Sequence, residues 1–167
     1  KALKAAIEFK NSVYIRLTAG SNTNIINSKD YDFKIGKAIE ILPGKDVAII
    51  GCGNILGNCL TAASALKEKN IDCSVVNMHT IKPIDEEKIK KISENYKLVV
   101  TVEEHNIIGG LGSAVAEVLS GTKSNCKLVR VGVNDFYSHG GSYEYLKNIY
   151  GLSSEKIVET VVSNLNK

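Results

Sequence analysis

The chain has 167 residues, 44% hydrophobic and 23% charged, with a net charge of +3. That is room for one well-buried domain and a piece of another, with an ordinary globular balance. The lysines alternate with acids, as in "KEKNID" and "DEEKIKK", which marks solvated helix faces and excludes the concentrated basic patch that nucleic acid requires.

Residues 1–9 carry helix formers with apolar positions at Ala2, Leu3, Ala6 and Ile7, a helical spacing. The β-branched and aromatic "SVYIRL" that follows predicts a strand. A helix feeding straight into a strand reads as the tail of a preceding unit. Residues 18–34, "TAGSNTNIINSKDYDFK", are polar and turn-rich and have the composition of an ordered linker. Then "KAIEIL" alternates, "PGKD" turns and "VAIIG" runs apolar, which predicts a β-hairpin.

Strands and helices alternate from there. A helix is expected over 55–69, with Leu56, Leu60, Ala63 and Leu66 on one face. "CSVVNM" is a strand, and "DEEKIKKISENY" a helix entered by Pro83 and capped by Asp85. "KLVVTVE" is a strand, "GGLGSAVAEVLS" a glycine turn and helix, and "CKLVRVGV" a strand. Two terminal helices follow, near 142–150 and 153–165, each with a serine at its start. The order implies an α/β fold: a three-layer α/β/α domain over 36–167, with a mostly parallel five-stranded sheet and one antiparallel strand.

Four cysteines, Cys52, Cys59, Cys73 and Cys126, form no C-x-x-C pair. Cys52 and Cys73 lie in apolar runs, which fits reduced thiols and a cytoplasmic setting, with no metal site expected. No apolar run approaches the length of a membrane span, so no membrane partner is expected.

In an open parallel sheet, ligands or partners meet the carboxyl ends of the strands. Here those ends carry "GCGN" (51–54), "NMHT" (77–80), "EEHN" (103–106) and "GVNDF" (132–136). The first, with Gly51, Gly53 and Gly57, is spaced G-x-G-x-x-x-G. The next strand ends in Asn77, Met78 and His79 without the acid that a dinucleotide ribose requires. The plainer reading is a tight strand-to-helix turn, with Gly51, Gly53 and Asn54 kept as a candidate anion site at a helix N-terminus.

Glu103, Glu104 and His105 follow a buried strand, and Gly109, Gly110 and Gly112 open the next helix. A carboxylate and His105 could act as an acid–base pair. Adjacent residues on a strand point to opposite faces, so at most one glutamate shares a centre with His105. The alternative is that these groups bond loop backbone or line a domain or subunit interface.

Three stretches together resemble the C-terminal domain of transketolase. They are "VAIIGCGNILGNCLTAASALKEKNIDCSVVNMHTIKPID", "LVVTVEEHNIIGGLGSAVAEVLS" and "GVNDFYSHGGSYEYLKNIYGLSSEKI". The likeness is strongest to the C-terminal subunit of split bacterial transketolases, and "VYIRL" resembles the last strand of the preceding pyrimidine-binding domain. The resemblance implies three parts: 1–17 as the tail of that domain, 18–35 as linker and 36–167 as the C-terminal domain. It implies an enzyme that uses thiamine diphosphate and Mg2+ to move a two-carbon ketol unit between sugar phosphates.

The family's G-D-G motif and its activating glutamate have no counterpart here, so the resemblance implies no catalytic residue and no bound cofactor or metal in this chain. It implies instead packing, dimer assembly or regulation beside the N-terminal and pyrimidine-binding domains or subunit, in a homodimer. One residue carries over: Arg16 matches a family arginine that binds the substrate phosphate, for which a guanidinium offers a bidentate fork. The basic residue that often follows in relatives is replaced by "TAGSN". The same domain occurs in 1-deoxyxylulose-5-phosphate synthase and in the 2-oxo acid dehydrogenase E1 β subunit. Outside the superfamily, the alternative is a non-catalytic anion-binding or assembly module.

Overall fold

The computed structural model describes residues 1–17 and 31–165. The expected linker is therefore seen from residue 31 onward, and its 18–30 stretch lies outside the described residues. Helix α1 (Ala2–Glu8) buries none of its side chains. Residues 12–17 have no ladder partner among the described residues, so the strand expected at "SVYIRL" is not formed there. A strand needs a neighbour to satisfy its backbone, and this segment has none in the described chain.

The sheet contains β1 (Ile39–Leu42), β2 (Val47–Gly51), β3 (Cys73–Asn77), β4 (Leu98–Asn106) and β5 (Lys127–Val133), in the order β1-β3-β2-β4-β5. Strand β1 runs antiparallel to β3, and the other neighbours are parallel. The expected hairpin is corrected: β1 and β2 do not pair, because β3 lies between them. The turn at Pro43–Asp46 crosses the start of β3 instead. The amides of Lys45 and Asp46 both donate to the Asp72 carbonyl, at 3.1 and 2.8 Å. A β-carbon on Gly44 would stand 2.2 Å from the Cys73 carbonyl carbon, so only glycine allows the crossing. The unbroken apolar run of β2 is that of a central strand covered on both faces, and every one of its residues is buried.

Helices α2 (Leu56–Glu68) and α6 (Ser154–Leu165) cover one face. Leu56, Cys59, Ala62, Ala63 and Leu66 pack there with Ile49, Val75, Val100, Ile157 and Val161. Burying side chains such as Ile157 and Val161 stabilises by about 1.5–3 kcal/mol each. Helices α3 (Glu86–Asn95) and α4 (Leu111–Ser120) cover the other face over Ala48, Ile50, Val76, Met78 and Val99. Three layers result, as expected.

Asp85 caps α3 by accepting from the Lys88 amide at 3.1 Å. Ser142 caps the short α5 (Tyr143–Ile149), accepting from Tyr145 N at 3.3 Å. A single 3-10 turn, Gly53–Ile55, precedes α2.

Candidate functional site at the carboxyl edge of the sheet

The edge is built outward from β4. Side chains alternate along this strand, so Thr101 and Glu103 face α4 while Val102 and Glu104 face away from it. Glu103 is 2% exposed, and both its oxygens accept helix amides: Leu111 N at 2.7 Å and Gly112 N at 2.8 Å. The first amides of a helix have no partner within it and carry partial positive charge, so a buried carboxylate satisfies both demands there. Gly110 makes room for it, and Gly112 for the neighbouring Thr101 and Arg130 side chains. A β-carbon on Gly110 would lie 1.9 Å from Glu103 Oε2, and one on Gly112 would lie 2.8 Å from Thr101 Oγ1 and Arg130 Cδ. Gly109 has open space but a φ of +75°, where glycine is favoured.

The rest of the 106–113 turn satisfies itself. Asn106 Oδ1 accepts from Ile108 N at 2.8 Å, and Ser113 Oγ accepts from Gly109 N at 3.0 Å. Arg130 donates to the Ile107 carbonyl at 3.1 Å.

Glu104 takes the opposite direction and accepts the Tyr143 hydroxyl of α5. Burial, and then this carboxylate, push the Tyr143 hydroxyl above the usual tyrosine range. Lys147 lies 4.7 Å over the Tyr143 ring and 2.8 Å from Glu144. Asn58 on α2 donates to the Leu152 carbonyl at 2.9 Å. Tyr143 appears in the sequence without an evident role, and Asn58 gives no sequence signal, because its partner is 94 residues away in the chain. His105 is exposed, its Nδ1 2.9 Å from the Asn106 carbonyl. The two glutamates thus diverge, and neither forms a hydrogen bond with His105 among the described residues.

At the opening turn, a β-carbon on Gly51 would meet Leu56 Cδ2 at 3.1 Å and Cys59 Sγ at 3.3 Å. Gly53 has a φ of +77°, and its β-carbon position lies 3.8 Å from Glu104 Oε2. An anion held by Gly51, Gly53 and Asn54 would therefore have a carboxylate for a neighbour. Cys52 lies in the same electrostatic field. Burial, then Glu103 and Glu104, push its thiol up to about 11, and Arg16 opposes them. Arg16 is exposed and close enough to this edge for its charge to be felt there. Among the described residues all four cysteines are free, and no cluster of three His, Cys, Asp or Glu side chains could hold a metal ion. No helix among them is long and apolar enough to cross a membrane.

Comparison with known proteins places this geometry. Residues 36–157 match the family model for the transketolase C-terminal domain. The chain belongs to that family. A Methanocaldococcus jannaschii protein, provisionally named a transketolase C-terminal section, is 41% identical over 167 residues, covering 99% of this chain and 52% of that protein. The 1-deoxy-D-xylulose-5-phosphate synthase of Caldanaerobacter subterraneus is 37% identical over 150 residues, 90% of this chain and 24% of that enzyme. A solved split-gene transketolase, described as an inactive β4 tetramer, superposes with a TM-score of 0.91 at 40% identity, covering 99% of this chain and 54% of that one. This transketolase C-terminal domain, with the residues before it, spans about half the length of its relative from Methanocaldococcus jannaschii.

Proposed function

We propose that the chain supplies the C-terminal domain of a thiamine diphosphate-dependent transketolase and serves as its supporting and assembling part. The observation that carries this is the engagement of both edge carboxylates. Glu103 is bound by two helix amides and Glu104 by the Tyr143 hydroxyl. Carboxylates held this way order an edge for packing and are not presented for proton transfer. Exposed apolar side chains agree with a docking role: Leu3 is 68% and Ile7 78% exposed on α1, and Tyr137 and Ile108 are exposed beside the edge.

The two glycine turns of this edge do not fit the cofactor's diphosphate. A diphosphate calls for free amides or cations, whereas the α4 N-terminus already holds Glu103 and the Gly53 turn faces Glu104. The cofactor, its Mg2+ and the reacting groups are therefore assigned to the N-terminal and pyrimidine-binding domains or subunit, in a homodimeric assembly acting on sugar phosphates. Arg16 is assigned to the substrate phosphate, and residues 1–17 to the tail of the pyrimidine-binding domain.

Calorimetry with thiamine diphosphate tests this: the chain alone is expected not to bind, and tight binding overturns the reading. Adding the remaining domains or partner subunit is expected to give ketol transfer from xylulose 5-phosphate to ribose 5-phosphate. A second reading, 1-deoxyxylulose-5-phosphate synthase, draws on the 37% identity to that enzyme. It predicts turnover of pyruvate instead.

A further inference from the structure

The "HTIKPID" stretch between β3 and α3 plays no part in the site described above, yet with the start of α3 it contacts residues 33, 36, 37 and 38 of the chain that enters the domain. The Phe33 ring stacks on His79 with centroids 4.3 Å apart and planes at 28°. Gly36, at a φ of +81°, passes so close to Pro83 that a β-carbon there would lie 3.2 Å from Pro83 Cγ. Lys37 Nζ lies 2.7 Å from Glu87 Oε2 and 3.7 Å from Asp85 Oδ1. The Ala38 amide donates to Asp85 Oδ2 at 2.9 Å. Asp85 is 7% exposed, and its other oxygen caps α3, so one buried carboxylate ties the entering chain to a helix start.

The place of these contacts gives them a consequence. Ile39 pairs with Asn77, Asn77 with Gly51 and Gly51 with Val102, one row across four strands. Strand spacing of about 4.8 Å puts the entry point about 14 Å from β4, along the same carboxyl edge as Glu103 and Glu104. Six free residues could span about 20 Å in any direction. Held at Phe33, Gly36, Lys37 and Ala38, they leave in one direction.

We infer that the β3–α3 loop is a clamp for residues 33–38, the end of the linker and the start of the domain, and aims the chain entering at residue 31 along the carboxyl edge of the sheet. The aiming role rests on the reading that residues 1–17 belong to an upstream catalytic domain; the clamp does not.

Hydrogen exchange on the chain and on a Phe33→Ala/Lys37→Ala variant tests the clamp. Both substitutions lie outside the core, and an unchanged unfolding temperature verifies folding. Exchange at residues 33–40 is expected to rise at least tenfold while β2 and α2 stay as protected as before, and His79→Ala should reproduce part of the rise. Unchanged exchange at 33–40 overturns the clamp. In the reconstituted enzyme the double variant is expected to lose at least tenfold in ketol transfer. Transfer equal to that of the parent chain, with exchange raised, overturns the aiming role. If the parent chain itself supports no transfer, the proposed function fails, and the exchange measurement still decides the clamp.

Discussion

Glu103 Oε2 occupies the space that a β-carbon on Gly110 would need, at 1.9 Å. The glycine and the carboxylate form one device: the first leaves the room, and the second fills it and satisfies the opening amides of α4. Gly110→Ala should expel the carboxylate or distort the turn, destabilising the domain by about 2–4 kcal/mol as a buried hydrogen-bonded charge loses its partners. Glu103→Gln keeps one acceptor and turns a donor toward an amide, so a loss of about 1–3 kcal/mol is expected. Urea denaturation measures both. A Gly110→Ala variant as stable as the parent would show that the cap does not depend on this glycine.

Tyr143 and Glu104 join α5 to the end of β4, and the pair is partly exposed. Tyr143→Phe removes one hydroxyl bond, and the expected cost is about 1 kcal/mol or less. The clearer effect is local. Amides of α5 should exchange several-fold faster while those of β4 up to Val102 keep their protection. Equal exchange in α5 would mean that Lys147, Asn58 and the Leu152 contact hold the helix without the tyrosine.

The parts of the fold legible from sequence were those set by local chemistry. Asp85 and Ser142 announce their helices, and the unbroken apolar run of β2 marks a central strand. The pairing of β1 was illegible, because it turns on Gly44 closing against Cys73, a contact between segments far apart in the chain. The divergence of Glu103 from Glu104 follows from strand alternation alone, but their partners do not. Tyr143 lies 39 residues beyond Glu104, and Asn58 reaches a carbonyl 94 residues on. "HTIKPID" reads as turn punctuation for the same reason, since Asp85 meets Ala38 across 47 residues.

The stack between Phe33 and His79 carries a pH dependence with a definite sign. Burial lowers the His79 pKa below its ordinary 6.5, and a nearby Lys37 carbonyl only partly opposes this. The folded state therefore binds fewer protons than the unfolded one around that pH, and stability falls as pH falls. The contribution is full above 6.5 and is lost as pH drops from there through the folded value. The charged groups facing the clamp from the linker and α3 are Lys37, Asp85 and Glu87. Lys37 holds the Glu87 carboxyl below its usual range, so Glu87 stays ionised through this window. Exchange at residues 33–38, corrected for intrinsic rates, should rise between pH 7 and pH 5.5. His79→Phe, which keeps a ring for stacking, should abolish the rise; a rise that survives in the variant would place the titrating group elsewhere.

Cys52 provides a reading of the edge's field from within. Its thiol is pushed up to about 11 by burial and by Glu103 and Glu104, and Arg16 pulls it back. At pH 8 a thiol of that pKa is thiolate in roughly one molecule in a thousand, and the thiolate is the reactive form. Cys73, pushed up to about 12 by burial, is slower still. Iodoacetamide at pH 8 should therefore alkylate both in the folded chain more slowly than in an unfolded control, by about a hundredfold or more. Arg16→Gln removes an opposing cation and should slow Cys52 further, by severalfold, without changing Cys73. Equal Cys52 rates in the two proteins would mean that the Arg16 charge is not felt at this edge in solution, and the phosphate-binding role proposed for it would lose that support.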